Sequence, residues 1–208
     1  MKENLLFGIA GVDGAGKTTL ANNVKDSLHD LGREVYISKA HTTENRKMFE
    51  ELIKKSDDIE MMFIFQLMQR QQYNTVIGKL ASGAVVLADR WGESFEAYHS
   101  IHGVLSYDEE LRRGINRITF NGLEPNKTLY LRLDPEIAMA RSAVRGADFF
   151  DTKSHEYHKS IAQSLDAQAT NKGWHILDGT KSEEKLCEEA ISIISPLIYL
   201  SDDHESSE

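Results

Sequence analysis

The residues with the clearest chemical pattern in this 208-residue chain are 11–18, which read Gly-Val-Asp-Gly-Ala-Gly-Lys-Thr. They satisfy the spacing G-x-x-x-x-G-K-[ST], directly after a predicted strand and directly before a predicted helix. Glycines allow such a loop to turn its backbone N–H groups around phosphate oxygens, and the following helix points its positive end at the same anion. Lys17 would then reach the β- and γ-phosphates of a nucleotide such as ATP, and the Thr18 hydroxyl could ligate Mg²⁺. The predicted ATP-binding residues of this loop are Gly11, Asp13, Gly14, Ala15, Gly16, Lys17, Thr18 and Thr19.

A second pattern, an apolar strand closed by a carboxylate, occurs at Val85–Asp89. Proteins with a phosphate-binding loop hold or orient their metal with such a carboxylate, so Thr18 and Asp89 are the predicted metal ligands. The alternative reading of Asp89 is a helix N-cap at a strand-to-helix turn. A GTP switch would carry Asn-Lys-x-Asp at the end of a strand, whereas residues 126–129 read Asn-Lys-Thr-Leu and enter one. This difference argues against a GTPase.

The elements that must position these residues follow from apolar runs that alternate with segments of helical period. Five strands are predicted, at Leu5–Ala10, Val35–Ser38, Val85–Ala88, Thr128–Leu133 and Trp174–Leu177. The predicted fold class is α/β, a P-loop NTPase three-layer αβα arrangement with a five-stranded parallel sheet flanked by helices and a mobile lid. We expect one domain over residues 1–200, with the lid at about 141–154. Pro196 should close the last helix, and an acidic disordered tail is expected over 201–208.

Composition narrows the classes of protein that the chain can belong to. Lys and Arg number 24 against 33 Asp and Glu, which gives a net charge of −9 without a basic run to follow a nucleic-acid backbone. The absence of an apolar stretch of about 18 residues predicts that no helix spans a membrane. The single cysteine, Cys187, cannot form an internal disulfide, which favours a reducing, cytoplasmic compartment. We therefore expect small-molecule nucleotides as partners, and neither a nucleic acid polymer nor a membrane.

Residues 89–98 carry a resemblance to a known family. They read Asp-Arg-Trp-Gly-Glu-Ser-Phe-Glu-Ala-Tyr, which is similar to the Asp-Arg-aromatic-x-x-Ser-x-x-Ala-Tyr-Gln segment of thymidylate kinases. Further similar segments follow in the family's order: a strand and Pro-Glu helix start at 128–138, a lid-like segment at 141–151, and Leu-Asp-Gly-Thr at 177–180. The resemblance spans about residues 5–195, almost the whole chain.

The resemblance implies a deoxynucleoside monophosphate kinase that transfers the γ-phosphate of ATP to dTMP or a related dNMP. Lys17 and Mg²⁺ would hold the donor phosphates, Arg90 would hold the acceptor phosphate, and Arg145 would close over the γ-phosphate as part of the lid. Asp13 would accept a hydrogen bond from the sugar hydroxyl. The other implied site residues are Phe65, Arg70, Ser94 and Tyr98 for the acceptor and Arg141, Asp178 and Thr180 for ATP. A homodimer through the helix over 59–81 is implied as well.

Several departures from the family pattern leave the identity of the acceptor undetermined. His99 stands where the family usually has Gln, residues 41–46 read His-Thr-Thr-Glu-Asn-Arg in place of Thr-Arg-Glu-Pro, and Phe149 replaces the second lid arginine. The spacing from Phe65 to Arg70 is one residue longer than the family's Phe-x-x-x-Arg, so Arg70 either reads a pyrimidine carbonyl or lies on a solvated helix face. Two alternatives remain. One is a deoxynucleoside kinase, which needs a carboxylate base beside a nucleoside hydroxyl, and the other is an ATP-binding regulatory module without transfer.

Overall fold

The computed structural model describes residues 5–40, 49, 51–101, 103–145 and 154–205, and the side chains of 144, 145 and 201–205 lie outside this description. The predicted lid therefore falls mostly outside it. Residues 141–145 end a helix, whereas 146–153, Phe149 among them, and 41–48 are not described.

Five parallel strands form a sheet with the order β2-β3-β1-β4-β5. They are β1 (Leu6–Ala10), β2 (Val35–Lys39), β3 (Val85–Asp89), β4 (Lys127–Arg132) and β5 (His175–Asp178). Each lies within one residue of its predicted bounds. The predicted α/β fold with a five-stranded parallel sheet is confirmed.

Helices connect the strands. They are α1 (Lys17–Asp30), α2 (Asp58–Ala81), α3 (Gly92–His99), α4 (Glu109–Phe120), α5 (Pro135–Arg145), α6 (His155–Lys172) and α7 (Glu183–Glu205). The long helix α2 starts at a capping box, in which Asp57 accepts from the Glu60 N–H and Glu60 accepts from the Asp57 N–H. None of the helices in the described ranges is long and apolar enough to cross a bilayer.

Alternation of side chains along the strands produces three layers. Phe7 and Ile9 of β1 pack in one core cluster with residues of α1, α6 and α7, whereas Leu6 packs in another with α2 and Phe120 of α4. Successive residues of a strand point to opposite faces, so the sheet lies between two helical layers.

The last helix extends beyond the predicted end. Pro196 was expected to close it, but α7 continues through Pro196 to Glu205. Ile194 and Ile198, on either side of the proline, are buried in the core cluster that includes α1, and this packing outweighs the hydrogen bond that a proline removes. The tail predicted to be disordered from residue 201 is helical over 201–205, and 206–208 lie outside the described residues.

Candidate functional site

Strand pairing brings the two sequence patterns together. In the register of β1 with β3, Ile9 lies opposite Asp89, and the Arg90 N–H donates to the Ile9 carbonyl at 3.2 Å. Both strands are parallel, so their carboxyl ends lie at the same edge of the sheet. The loop after β1 and the Asp89-Arg90 pair therefore meet there.

The loop at 11–16 has the geometry of an anion cradle. Helix α1 begins after Gly16, which has a φ of 98° and no side chain to accept from the first N–H groups of the helix. Those N–H groups and the positive end of the helix dipole can therefore bind an anion. Gly14 has a φ of 85°, and a Cβ there would lie 2.0 Å from the Ala138 carbonyl oxygen. The loop thus requires a glycine at this position to pass beside α5.

Lys17 is buried inside the cradle. Its ammonium donates to the Val12 carbonyl at 2.8 Å and lies 3.8 Å from the Asp13 carboxylate. Burial lowers the pKa of Lys17 to about 8, and the charge of Arg90 acts in the same direction. The nearby carboxylates of Asp13, Asp89 and Glu93 oppose that change. A buried cation at the start of a helix supplies charge for phosphate oxygens.

Asp13 and Arg90 form the centre of the cluster that is predicted to hold the acceptor. Arg90 Nη2 donates to Asp13 Oδ1 at 2.5 Å, and the Tyr98 hydroxyl donates to Asp13 Oδ2 at 3.0 Å. Arg90 Nη1 donates to the Ser94 hydroxyl at 3.2 Å. Burial alone would raise the pKa of Asp13, but the charges of Arg90 and Lys17 and the two hydrogen bonds hold it well below its usual range. Asp13 is therefore an ionised acceptor that orients the guanidinium.

Thr18 and Asp89 form an oxygen pair beside the cradle. The Thr18 hydroxyl donates to Asp89 Oδ2 at 2.9 Å, and the carboxylate is buried. A hydroxyl and a carboxylate are hard oxygen donors of the kind that Mg²⁺ takes together with substrate phosphates. Within the described ranges no group of three or more His, Cys, Asp or Glu side chains could hold a metal ion. The donor set thus fits a metal held partly by phosphate and water.

Lys39 is a site residue that sequence reasoning missed. Its ammonium donates to the Thr18 hydroxyl at 2.9 Å and lies 3.3 Å from Asp89 Oδ2. It is the last residue of β2, opposite Asp89 in the register with β3. The signal was present in the sequence as a cation at a strand end. Its proximity to Asp89 depends on β2 lying next to β3, which the sequence does not reveal.

Arg70 is placed away from the Asp13–Arg90 pair. Its guanidinium donates to the carbonyls of Ile118 and Thr119 at 3.3 and 3.0 Å and lies 4.3 Å from the centre of the Tyr73 ring. The cation thus satisfies carbonyl groups at the end of α4, where the helix dipole favours positive charge.

Other residues of α2 point inward where Arg70 does not. Gln66 and Gln69 are buried, and Gln66 Nε2 donates to Gln69 Oε1 at 3.1 Å. Thr119 donates to Gln66 Oε1, which links this amide pair to α4. Phe65 is half-buried on the same helix. The described structure thus brings Asp13, Arg90, Ser94 and Tyr98 together, and Arg70 lies on another side of α2.

The residues predicted for the ATP side meet at the end of β5. Arg141 Nη1 donates to the Gly179 carbonyl at 3.2 Å, which ties α5 to the loop after β5. In that loop Asp178 Oδ1 accepts from the Thr180 N–H at 3.0 Å and from the Thr180 hydroxyl at 2.7 Å. The side chain of Arg145 lies outside the described residues.

Comparison with known proteins gives one consistent family. The family described as thymidylate kinase matches residues 9–191. The chain is 29% identical to a thymidylate kinase of Oenococcus oeni over 209 residues, covering 93% of this chain and 96% of the relative. It is 29% identical to one of Hahella chejuensis, covering 78% and 81%, and 27% identical to one of Pseudomonas putida, covering 86% and 90%.

Proposed function

The chain belongs to the thymidylate kinase family, and from this premise we propose how its residues transfer the γ-phosphate of ATP to dTMP or a related dNMP. The reaction is ATP + dNMP = ADP + dNDP. The observation that carries the proposal is the contact of Arg90 with Asp13 directly beside Lys17. One cluster therefore offers a cation to each of the two phosphate groups that must meet.

The donor phosphates are held by the cradle. The amides at the start of α1 and the Lys17 ammonium bind the β- and γ-phosphates, and Arg145 closes over them from the end of α5. Arg141, Asp178 and Thr180 bind the nucleoside side of ATP, a role supported by the contact of α5 with the loop after β5. Phosphoryl transfer passes through a loose transition state, so this positive charge and alignment supply most of the catalysis.

The acceptor is held by the Arg90 cluster. Arg90 binds the acceptor phosphate, Asp13 accepts from the sugar hydroxyl, and Ser94 and Tyr98 fix both charged groups. Phe65 packs on the base, and Arg70 reads it only if its side chain leaves the end of α4. Lys39 adds a further cation beside the phosphates, a role supported by its position over Asp89.

Thr18 and Asp89 would hold Mg²⁺, Asp89 directly or through a water molecule. When bound, the metal neutralises charge on the β- and γ-phosphates. Asp89 and Thr18 keep their oxygens on the phosphate side because the end of β3 and the start of α1 fix them.

The low basicity of the ionised Asp13 carboxylate favours a monophosphate acceptor over a nucleoside. A nucleoside kinase needs a carboxylate that takes a proton from the hydroxyl. Asp13 is a weak base, since Arg90 and Lys17 hold its pKa well below the usual range despite burial. A phosphate acceptor arrives ionised and needs no such base.

We also propose that the protein is a homodimer and that it is cytoplasmic. Helix α2 exposes an apolar row formed by Ile59, Phe63 and Leu67, which supports a homodimer through this helix. The free thiol of Cys187 supports a cytoplasmic enzyme.

An acceptor panel tests the function. ADP release with ATP and Mg²⁺ is measured with dTMP, dUMP, dCMP, dGMP, dAMP, the matching ribonucleotides and thymidine. We expect turnover with dTMP or a related dNMP and its loss in Lys17→Ala. Turnover with thymidine alone would replace the proposal by a nucleoside kinase, and ATP binding without any turnover would replace it by a regulatory module.

A further inference from the structure

The backbone of Arg90 is strained. Its φ of 72° lies in the left-handed region, which costs free energy for a residue with a side chain and persists only when the surroundings hold it. The Arg90 N–H donates to the Ile9 carbonyl, and Gln72 Nε2 donates to the Arg90 carbonyl at 3.0 Å. The next N–H, that of Trp91, donates to both carboxylate oxygens of Glu93 at 2.9 Å each. The conformation is thus fixed on both sides of Arg90.

The Glu93 carboxylate also reaches the Arg90 side chain. The Ser94 hydroxyl accepts from Arg90 Nη1 at 3.2 Å and donates to Glu93 Oε1 at 3.3 Å. One acid therefore holds the peptide that follows Arg90 and, through a single hydroxyl, the guanidinium at the other end of the same residue.

Burying the Glu93 carboxylate costs free energy. Glu93 is only 6% exposed. Burial raises its pKa, although the N–H of Trp91, the charge of Arg90 and the Ser94 hydroxyl favour the ionised form. An apolar side chain would fill the same space without this desolvation. The contacts to Trp91 and Ser94 are what the acid adds.

We propose that Glu93 is a positioning residue for phosphoryl transfer, which fixes the Arg90 peptide in its left-handed conformation and, through Ser94, fixes the direction of the guanidinium. The inference rests on the proposed role of Arg90 at the acceptor phosphate. Without Glu93 the guanidinium keeps its contact with Asp13 but loses the second restraint through Ser94. It then has more freedom to turn, so the acceptor phosphate is held less often in line with the donor. The ATP side has its own ligands, and among them Glu93 acts on Lys17 only through its charge.

Steady-state kinetics of Glu93→Ala, Glu93→Gln and Glu93→Asp test the proposal, with Glu109→Ala as the control. Glu109 is an exposed acid on α4 that pairs only with Arg113 among the described residues. In Glu93→Ala we expect kcat/KM for the dNMP to fall at least about tenfold, while the Kd of ATP changes less than about twofold. Glu93→Gln keeps an oxygen for the Trp91 N–H and should restore most of the activity. Should the alanine variant fail to fold, Glu93→Asp, which shortens the side chain by one methylene, carries the test and should show the same acceptor-side loss.

A double-mutant cycle separates positioning from general stability. If Glu93 acts through Arg90, Glu93→Ala adds nothing to the loss already caused by Arg90→Ala. Additive losses, or an equal loss on the ATP and dNMP sides, would overturn the proposal.

A measurement without turnover keeps this inference apart from the proposed function. In protein labelled with ¹⁵N-arginine, Arg90→Ala identifies the Arg90 side-chain NMR signal. We expect a distinct Nε–H signal in the wild type and an averaged or exchange-broadened one in Glu93→Ala. An unchanged signal in Glu93→Ala contradicts the positioning role. A wild type that shows the distinct signal but phosphorylates no dNMP contradicts the proposed function alone.

Discussion

At the scale of single residues, Asp13 connects the proposed donor side with the proposed acceptor side. One oxygen receives Arg90, the other receives Tyr98, and Lys17 lies 3.8 Å away. A hydrogen bond to a charged group is stronger and more directional than one between neutral groups. A single acid can therefore fix the relative positions of the two cations between which a phosphoryl group would move.

Lys39 gives a prediction at the same scale. We expect Lys39→Ala to lower kcat by about 10–100-fold, because it removes positive charge from the place where charge develops on the phosphates. The melting temperature should change little, because the ammonium lies at the open end of β2 and is partly exposed. Steady-state kinetics with saturating ATP and dNMP measure the effect.

The control for this prediction is Lys79→Ala. Lys79 is a half-exposed lysine of α2 that contacts Glu34 and the Tyr36 ring. An equal loss of kcat in both variants would contradict a specific role for Lys39.

His99 gives a prediction about pH. Burial, with a contribution from the charge of Arg112, lowers its pKa from 6.5 to about 4. Between pH 6.5 and 4 the unfolded chain binds a proton at His99 that the folded chain does not bind. The His99 contribution to stability is therefore complete above pH 6.5, falls as the pH drops through this window, and is level below pH 4.

Urea unfolding at pH 7 and pH 4.5 measures this contribution. We expect His99→Gln to lose about 2 kcal/mol less stability than the wild type between the two pH values. His29→Gln, at an exposed position on α1, should keep the wild-type difference. If His99→Gln loses as much stability as the wild type between pH 7 and pH 4.5, His99 is not the cause of the pH dependence.

At the scale of elements, the conformation of the cradle at 11–16 depends on its contact with α5. Gly14 combines a φ of 85° with a Cβ position 2.0 Å from the Ala138 carbonyl oxygen, whereas Gly32 has a φ of 78° and no atom near its Cβ position. Gly32→Ala should cost about 1 kcal/mol of stability, from backbone strain alone.

Gly14→Ala should cost about 3 kcal/mol or more and abolish ATP binding, because the backbone of α5 must move. Thermal unfolding and ATP titration of both variants check this. Similar stability and normal ATP binding in the two variants would contradict the close approach of the loop to α5.

At the same scale, elements and motifs that are contiguous in sequence can be predicted, whereas contacts between elements cannot. The strands were predicted to within one residue, since a buried parallel strand is a short apolar run between turn residues. The cradle and the Asp89-Arg90 pair were found because each is contiguous in sequence. Lys39 was missed because only the order β2-β3-β1 places it beside Asp89.

Packing explains two further differences between the sequence predictions and the structure. The sequence predicts Arg70 as a candidate for the acceptor site, whereas its position on α2 directs it to the end of α4, and Gln66 and Gln69 point inward. Pro196 was expected to end α7, but the buried residues beyond it keep the helix in place. Neither the rotation of a helix nor its tertiary contacts can be read from local propensity.

At the scale of the whole molecule, α2 is the predicted dimer contact. Ile59, Phe63 and Leu67 are spaced by four residues on one helix face and are 53%, 61% and 53% exposed. We expect the wild type to sediment as a dimer at micromolar concentration and Phe63→Glu to sediment as a monomer, because a charge buried in an apolar contact is costly.

The control for the dimer is Tyr107→Glu, which changes an exposed aromatic residue that is not part of α2 and should leave a dimer. A wild type that is monomeric, or a Phe63→Glu variant that stays dimeric, would contradict the contact through α2.

In the proposed mechanism, one cluster of side chains holds the donor and acceptor phosphates together. The most direct measurement is calorimetric titration with an analogue in which adenosine and thymidine are joined through their 5′-oxygens by a chain of five phosphates, in the presence of Mg²⁺. We expect the wild type to bind it at least about 100-fold more tightly than ATP alone, because a linked ligand engages the second site without a further loss of translational freedom. Lys17→Ala and Arg90→Ala should each lose most of that gain. Binding no tighter than that of ATP, or unchanged binding in Arg90→Ala, would contradict the claim.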